Sequence, residues 1–267
     1  MRSSTRLTGW RRVAGAMWRP PEDPQIFGAL EIDARPVLAQ ILREHVRGHR
    51  LTPMHFVGRA VGHALRAVPE LNVRIVRGRA YPRETIDVFF ITSVAHGDEL
   101  AGIKVEDIDH KTVTEVAEEL AERSDVVKRS RDRASSRTKR LVDALPPRLL
   151  RTALRATAFL TERLQVDVPG LALRRSPFGS AMVTNVGMFG LPQGFAPLAW
   201  MYDVPLLVLV GDITDRPVVS AGHVVVRPTL SITTTIDHRF ADGGHVGLAM
   251  KAFRAYLAEP ERFESVD

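Results

Sequence analysis

The chain of 267 residues, 45% of them hydrophobic, is long enough to bury the core of one large domain. It contains no cysteine, which excludes disulfide bonds, thiolate nucleophiles and zinc sites built on cysteine. No apolar run reaches the ~20 residues that cross a bilayer, and the arginine-rich start of the chain lacks the apolar stretch of a secretory signal. We therefore expect a cytoplasmic globular protein.

The net charge of +6 is concentrated in one segment of the chain. Residues 123–175 hold 14 Lys and Arg against 5 Asp and Glu, whereas the remainder holds 23 basic and 26 acidic residues. All of the net positive charge therefore lies in this segment, which makes it a candidate for contacts with anionic partners.

Hydrophobic periodicity predicts alternating strands and helices in the first half of the chain. Apolar residues recur at helical spacing from Met54 to Val68, and Thr112 or Thr114 can cap the next helix. The predicted strands are 25–34, 72–76, 87–95 and 101–105, and the predicted helices are 35–46, 54–68 and 113–127.

The basic segment contains a second kind of helix. Pro146 and Pro147 suit a helix start, because proline costs little in a first turn. From Arg148 to Leu164, the leucines fall on one side at about 100° per residue and the arginines fall on the other. This pattern predicts a basic amphipathic helix within the segment.

The last third of the chain is predicted to be mainly strand. Leu, Ile and Thr alternate from Leu230 to Ile236, as is typical of a strand. The predicted strands are 182–186, 205–212, 218–219, 224–226 and 229–236, followed by a helix over 245–257. With no internal repeat and no low-complexity linker, the simplest organisation is one α/β domain over residues 1–267.

His238 directly follows the last of these strands and begins a His-x-x-x-Asp-Gly sequence with Asp242 and Gly243. An unperturbed imidazole titrates near neutrality, so it can take a proton from a thiol or hydroxyl and return it within one cycle. Asp242 can fix the loop, and Gly243 allows a tight turn into the next helix. The motif predicts a proton-transfer site at the end of a strand.

Several blocks of the sequence resemble the catalytic domain of the 2-oxoacid dehydrogenase dihydrolipoyl acyltransferases. They are RVAGAM at 12–17, FGALEID at 27–33, LTPMHFV at 51–57, VPELN at 68–72, VTNVGMFG at 183–190 and DHRFADG at 237–243. The resemblance covers roughly residues 6–128 and 174–264, in family order. It implies an α/β, chloramphenicol acetyltransferase-like fold, in which helices flank a mixed β-sheet and three chains form a trimer.

The resemblance also implies the chemistry of an acyltransferase. His238 matches a histidine that takes the proton from the thiol of coenzyme A or dihydrolipoamide, and the thiolate then attacks a thioester. The position that usually holds an oxyanion-stabilising serine is Thr184 here. Threonine keeps the hydroxyl donor but adds a methyl group that restricts χ1. Its alternative interpretation is a β-branched residue that only fills a strand.

Asp242 matches an Asp or Asn of the family, with a structural role implied. We expect it to hold the histidine loop by pairing with an arginine, and Arg12 and Arg239 are both candidates. The remaining histidines that we considered are interpreted as ordinary polar or helix-face residues: His55, His63, His96, His223 and His245. No pair of them has metal-ligand spacing backed by a carboxylate, so we predict no metal.

A homotrimer is implied, with the histidine from one subunit and the hydroxyl from its neighbour. The charged C-terminus lacks the apolar anchor of the larger family assemblies, so we expect the trimer to be the final state. The chain contains no lipoyl-lysine motif, and we expect a lipoyl or acyl-carrier domain in trans, or an unrelated alcohol, amine or thiol acceptor.

Residues 129–173 depart from the family as a basic helical insert. Its helix is interpreted as an ordinary surface helix with its leucine stripe on the domain, as a membrane-surface contact, or as a docking site for an acidic acyl-carrying domain or coenzyme A phosphates. Nucleic-acid binding is not expected, since aromatic residues hardly interleave with the basic ones.

The leading functional hypothesis is therefore an acyltransferase that uses coenzyme A. The alternatives are a catalytically inactive scaffold or assembly subunit that binds a partner through the basic insert, and a membrane-associated acyltransferase whose insert helix lies on anionic lipid.

Overall fold

The computed structural model describes residues 23–76, 78–94, 99–126, 146–167, 175–198 and 203–264. These residues contain eight strands and six α-helices. The strands are β1 (Gln25–Asp33), β2 (Val73–Val76), β3 (Arg79–Pro82), β4 (Val88–Val94), β5 (Glu99–Val105), β6 (Ala181–Asn185), β7 (Leu206–Ser220) and β8 (His223–Asp237). The helices are α1 (Arg35–Val46), α2 (Pro53–Ala67), α3 over residues 113–126, α4 (Pro147–Ala158), α5 (Gly243–Ala258) and α6 (Pro260–Glu264).

A six-stranded mixed sheet in the order β1-β8-β7-β6-β4-β5 forms the centre of the fold. β7, β6 and β4 run parallel to one another, and the other neighbours pair antiparallel. A separate hairpin joins β2 to β3. The N-terminal ends of β4, β6 and β7 therefore lie at the same edge of the sheet as the C-terminal end of β8.

Helices α1, α2, α3 and α5 cover one face of the sheet and enclose the main core. Side chains alternate across a strand, so Ala181 and Val183 of β6 belong to this core whereas Met182 faces the opposite side. Gly58 allows α2 to pack closely, because a Cβ there would lie 2.2 Å from Cζ of Phe90. The core thus fixes which residues of each strand face away from the helices.

The opposite, outer face of the sheet is covered by the loop over residues 187–198. Thr233 and Thr235 of β8 point to this side, and their hydroxyls donate to the backbone oxygens of Gly194 and Ala196. The backbone N–H of Leu198 donates to the side chain of Gln25 at 2.7 Å. The loop therefore runs across the sheet from the end of β6 to β1.

β7 and β8 are longer than the sequence patterns predict. Each combines two predicted segments into one 15-residue strand, and the pair closes at a tight turn. Ala221 and Gly222 have φ values of 48° and 81° in this turn, the conformation of a two-residue hairpin loop. Pro217 and Pro228 interrupt the alternation in the sequence, but each is accommodated in the antiparallel pairing. The predicted breaks within these strands were wrong.

The amphipathic helix predicted in the basic segment is present as α4, and a π-helical turn (Phe159–Arg163) continues it. In its leucine stripe, Leu149 is 56% and Leu164 is 52% exposed, whereas Leu154 and Leu160 are half-buried. The way in which the stripe packs stays a prediction. Among the described residues, no helix combines the length and the apolar character needed to cross a bilayer.

Candidate active site

His238 lies in a short loop between β8 and α5, where the backbone is firmly held. Its N–H donates to the backbone oxygen of Pro24 at 2.9 Å, and the N–H of Asp237 donates to that of Pro205 at 2.9 Å. Phe240 and Ala241 follow and are buried at 7% and 3% exposure. The residue itself is exposed, and no side chain among the described residues hydrogen-bonds to its ring. A fixed backbone thus presents a free imidazole at the sheet edge.

Asp242 is the N-cap of α5. Its Oδ1 accepts hydrogen bonds from the N–H groups of Gly244 at 3.0 Å and His245 at 3.1 Å, and it lies 2.7 Å from Nδ1 of His245. The hydrogen bond from the His245 backbone contributes most to holding the pKa of Asp242 below its usual value. The carboxylate therefore fixes the end of the histidine loop by capping the next helix.

Of the two arginines considered as partners of Asp242, Arg239 is engaged elsewhere. Arg239 instead pairs with Asp237, whose Oδ1 accepts from the Arg239 backbone at 2.9 Å and from Nε at 3.0 Å. Arg12, the other candidate, lies outside the described residues. Asp237 therefore holds the Arg239 guanidinium on the same loop, and an arginine partner for Asp242 stays a prediction.

Thr184 lies on β6 and, two residues after Met182, faces the outer side of the sheet. The strand ends in a 3₁₀ turn (Gly187–Phe189) that lies directly against β7. A Cβ on Gly187 would be 2.6 Å from the backbone nitrogen of Asp212, so only glycine permits this approach. The glycine of the VTNVG sequence thus sets the position of the strand end that carries Thr184.

A single chain does not bring Thr184 and His238 together. Thr184 pairs with Leu209, which pairs in turn with Thr233, and His238 is five residues further along the chain. This register places the backbone of Thr184 and the backbone of His238 about 16 Å apart along the strand direction and about 10 Å apart across the strands. If both side chains act on one substrate, they must come from different subunits.

Large apolar side chains are exposed along the loop that follows β6 and on β1, which this loop reaches. They are Phe27 at 60%, Met188 at 48%, Phe189 at 52%, Leu191 at 48% and Phe195 at 52% exposure. The rings of Phe27 and Phe195 contact each other edge to face, with centroids 6.0 Å apart. Clustered exposed apolar groups of this size mark an interaction surface on a globular protein.

Comparison with known proteins places the chain in a family. The profile of the 2-oxoacid dehydrogenases acyltransferase (catalytic domain) matches residues 7–138 and 177–264. The chain belongs to this family. The matched ranges include Thr184, His238 and Asp242, and the unmatched stretch 139–176 contains α4.

Two curated relatives cover different extents of the chain. One is the dihydrolipoyllysine-residue acetyltransferase component of the acetoin cleaving system of Bacillus subtilis, to which the chain is 26% identical over 215 residues. This alignment covers 80% of this chain and 43% of that protein. The other is the probable dihydrolipoyllysine-residue succinyltransferase component of the mitochondrial 2-oxoglutarate dehydrogenase complex of Schizosaccharomyces pombe, to which the chain is 32% identical over 94 residues. This alignment covers 34% of this chain and 20% of that protein. The chain thus spans less than half the length of either relative.

Solved structures confirm the predicted fold. A probable dihydrolipoamide acetyltransferase from Listeria monocytogenes superposes with a TM-score of 0.63 at 19% identity, over 96% of this chain and 94% of that chain. A truncated catalytic core of the Thermoplasma acidophilum 2-oxoacid dehydrogenase complex gives 0.60 at 17% identity, over 97% and 99%. Chloramphenicol acetyltransferase gives 0.50 at 16% identity, over 88% and 89%. The α/β fold with a mixed sheet flanked by helices is therefore shared with both groups.

The other described histidines have local roles. His55 and His245 occupy the third positions of α2 and α5, where their rings face the cap residues Thr52 and Asp242. Burial lowers the pKa of His55 to about 4, so its ring is neutral at pH 7. His63 packs against Phe263, with ring centroids 4.7 Å apart. His96 lies outside the described residues.

One group of described side chains is close enough to share a cation: Asp107, Asp109 and His110. Asp109 lies 3.5 Å from His110 and 3.9 Å from Arg66, so ion pairs already account for the arrangement. Nothing else in the described part of the chain points to a metal there, and the absence of a metal stays a prediction.

A buried ionic cluster that the sequence does not predict lies at the edge of the sheet that carries His238. Glu162 is 2% exposed, and neither of its carboxyl oxygens has a hydrogen-bond partner among the described residues. Burial raises the pKa of Glu162 to about 7, nearby Asp203 raises it further, and Arg83 and Arg74 oppose the shift. Arg83 donates to the backbone oxygen of Asp203 at 2.9 Å. No sequence signal links these residues, since up to 129 positions separate them.

Proposed function

We propose that the chain is an acyltransferase that moves an acyl group between coenzyme A and a thiol acceptor. The observation that carries the proposal is the free, exposed imidazole of His238, fixed in a His-x-x-x-Asp-Gly loop of a chain that belongs to the acyltransferase family. The scaffold alternative is not favoured, because both blocks expected to carry the chemistry lie within the family match.

In the proposed reaction, His238 accepts the proton of the attacking thiol. The resulting thiolate forms a bond to the thioester carbonyl carbon, and the hydroxyl of Thr184 donates a hydrogen bond to the oxyanion. When the intermediate collapses, the bond to the leaving thiolate breaks, and His238 returns its proton to that sulfur. The histidine is thus unchanged after one cycle, and no other proton source is needed.

The site is proposed to form between subunits of a homotrimer. The register of the sheet separates Thr184 and His238 of one chain by far more than hydrogen-bond reach. The apolar surface that contains Phe27 and Phe195 lies on the same outer face of the sheet as Thr184 and gives the neighbouring subunit a place to pack. The hydroxyl of one chain would then meet the histidine of the next.

The acceptor proposed is a dihydrolipoyl thiol. The relatives in Bacillus subtilis and Schizosaccharomyces pombe are both named for transfer to dihydrolipoyllysine residues, and the first matches over most of this chain. A lipoyl domain would supply the thiol at one end of the site, and coenzyme A would occupy the other.

A further structural neighbour supports the choice of residues. In the dihydrolipoamide acetyltransferase of Azotobacter vinelandii, the catalytic mechanism has been investigated through a serine, a histidine and an asparagine, the last two four positions apart. His238 and Asp242 have the same spacing, and Thr184 supplies a hydroxyl.

The proposal is tested by transfer from acetyl-coenzyme A to dihydrolipoamide. His238→Ala is expected to lower kcat by about 10²–10⁴, because the general base is lost. Thr184→Ala is expected to lower kcat by about 10²–10³, whereas Thr184→Ser keeps the donor and retains activity.

His223→Ala is the matched control, since this exposed histidine lies at the opposite end of β8. Variants are compared at equal oligomeric state, measured by light scattering. Unchanged turnover in His238→Ala would rule out the proposed role of the histidine.

A further inference from the structure

Helix α4 is anchored to the domain through its C-terminal π-helical turn. Thr161 and Glu162 in this turn are 1% and 2% exposed. The Arg74 guanidinium donates to the backbone oxygen of Glu162 at 3.3 Å, and the amide of Gln165 donates to the hydroxyl of Ser176 at 3.1 Å. One end of the helical segment is therefore fixed at the sheet edge.

The rest of the segment presents an apolar strip away from this anchor. Leu149 is 56% exposed and Phe159 is 51% exposed, and Ala153 and Ala156 are also exposed. Leu149, Ala153 and Ala156 lie within about 60° of one another on a helix, and Phe159 borders them. Leu164, at 52% exposure, follows the π-helical turn. Leu149 and Phe159 are thus the large exposed apolar side chains of the helix, whereas Leu154 and Leu160 are half-buried.

Positive charge borders the apolar strip. Arg148 and Arg155 are both exposed and lie about 100–120° from Leu149 around the helix. Residues 123–175, which contain α4, hold all of the net positive charge of the chain. An exposed helix with an apolar strip beside arginines has the composition of helices that lie in the plane of an anionic membrane surface.

We propose that α4 binds an anionic lipid surface, with Leu149 and Phe159 inserted among the acyl chains and the arginines on the headgroups. A lipid surface is the occupant we choose, because its interface takes up apolar side chains and arginines from one and the same helix. Ion pairs of the arginines alone would leave Leu149 and Phe159 in water, whereas the membrane interface buries both side chains. This proposal does not depend on the acyl transfer reaction.

Co-sedimentation with vesicles tests the proposal on the full chain. The protein is expected to bind vesicles of equal parts phosphatidylcholine and phosphatidylglycerol and to remain in solution with pure phosphatidylcholine. Arg148→Gln with Arg155→Gln should weaken binding about thirtyfold, since each arginine near an anionic surface contributes about 1 kcal/mol. Leu149→Asp with Phe159→Asp should abolish binding.

Matched controls change equivalent groups elsewhere on the surface. Arg50→Gln with Arg254→Gln removes two exposed arginines, and Leu42→Asp with Val46→Asp changes side chains that are 65% and 83% exposed on α1. Both control variants should bind the anionic vesicles like the unchanged protein. Equal losses of vesicle binding in the control and test variants would overturn the assignment of the lipid-binding surface to α4.

A second measurement places the helix in the interface. Phe159→Trp should shift its fluorescence to shorter wavelength on anionic vesicles and be quenched by brominated acyl chains. No binding to anionic vesicles, or binding without this shift, would overturn the proposal. So would dissociation of the oligomer in the α4 variants, which would identify the strip as a subunit contact.

Discussion

At the scale of single residues, the buried carboxyl group of Glu162 should make the stability of the protein depend on pH. Burial raises its folded-state pKa from 4.5 to about 7. Its contribution to stability is therefore fully present below pH 4.5 and is lost as the pH rises through 7, since the folded protein must then hold a buried charge. We compare the free energy of unfolding of Glu162→Gln with that of the wild type. The difference, variant minus wild type, should be about 1–3 kcal/mol larger at pH 8 than at pH 4.5.

The measurement is urea unfolding of both proteins across this pH range. Glu122→Gln serves as the control, because Glu122 is exposed on α3. A difference between wild type and Glu162→Gln that stays constant with pH would contradict the buried, partly protonated state of Glu162.

At the scale of elements, a buried carboxylate on α6 joins that helix to α2, α3 and α5. Glu264 of α6 accepts hydrogen bonds from the hydroxyl of Tyr256 and from the backbone N–H of Val113, and its Oε1 lies 3.4 Å from Nε of Arg59. The Arg59 side chain is 8% exposed. Glu264→Leu should destabilise the protein by about 3–5 kcal/mol, because it leaves a buried guanidinium unpaired.

Thermal unfolding checks this loss against Glu261→Leu in the same helix. Glu261 also pairs with an arginine, Arg43, but its side chain is 60% exposed, so less than about 1 kcal/mol should be lost. Equal losses of stability from the two substitutions would show that burial does not determine how much the ion pair of Glu264 stabilises the protein.

At the scale of the whole molecule, the apolar surface that contains Phe27 and Phe195 should hold the subunits together. Phe195→Asp is expected to weaken association by at least about 2 kcal/mol, since a buried aromatic at an interface centre is the usual hot spot. Sedimentation velocity should show monomers, and activity should fall with the oligomer because each site needs two chains. Leu42→Asp changes a side chain with 65% exposure on α1 and should leave the oligomer intact.

The sequence predicted the parts of this molecule that local patterns determine. β1 and the C-terminal half of β8 follow from their apolar and β-branched residues, and α2 follows from helical spacing after Thr52. The loop of His238 follows from its motif. By contrast, the length of the β7–β8 hairpin depends on cross-strand pairing, which overrides the interruptions at Pro217 and Pro228.

Long-range relations were beyond sequence reasoning. Asp237 and Asp242 are both close enough in sequence to attract Arg239, and only the helix start at Gly243 decides that Asp242 becomes a cap. Glu162 and Arg83 meet because the insert folds back onto the sheet edge. Leu149 of α4 is exposed, whereas Thr161 and Glu162 of the π-helical turn are buried.

The shared site is the central claim, and mixed oligomers test it most directly. His238→Ala and Thr184→Ala, each inactive alone, are co-expressed with different tags, and oligomers that carry both are isolated. In a closed trimer that contains both variants, and in which each site takes the histidine from one subunit and the threonine from the next, one site in three regains both groups. About a third of wild-type turnover is therefore expected. Turnover no higher than that of the separate variants would contradict it, and would place both groups in one chain or neither in the reaction.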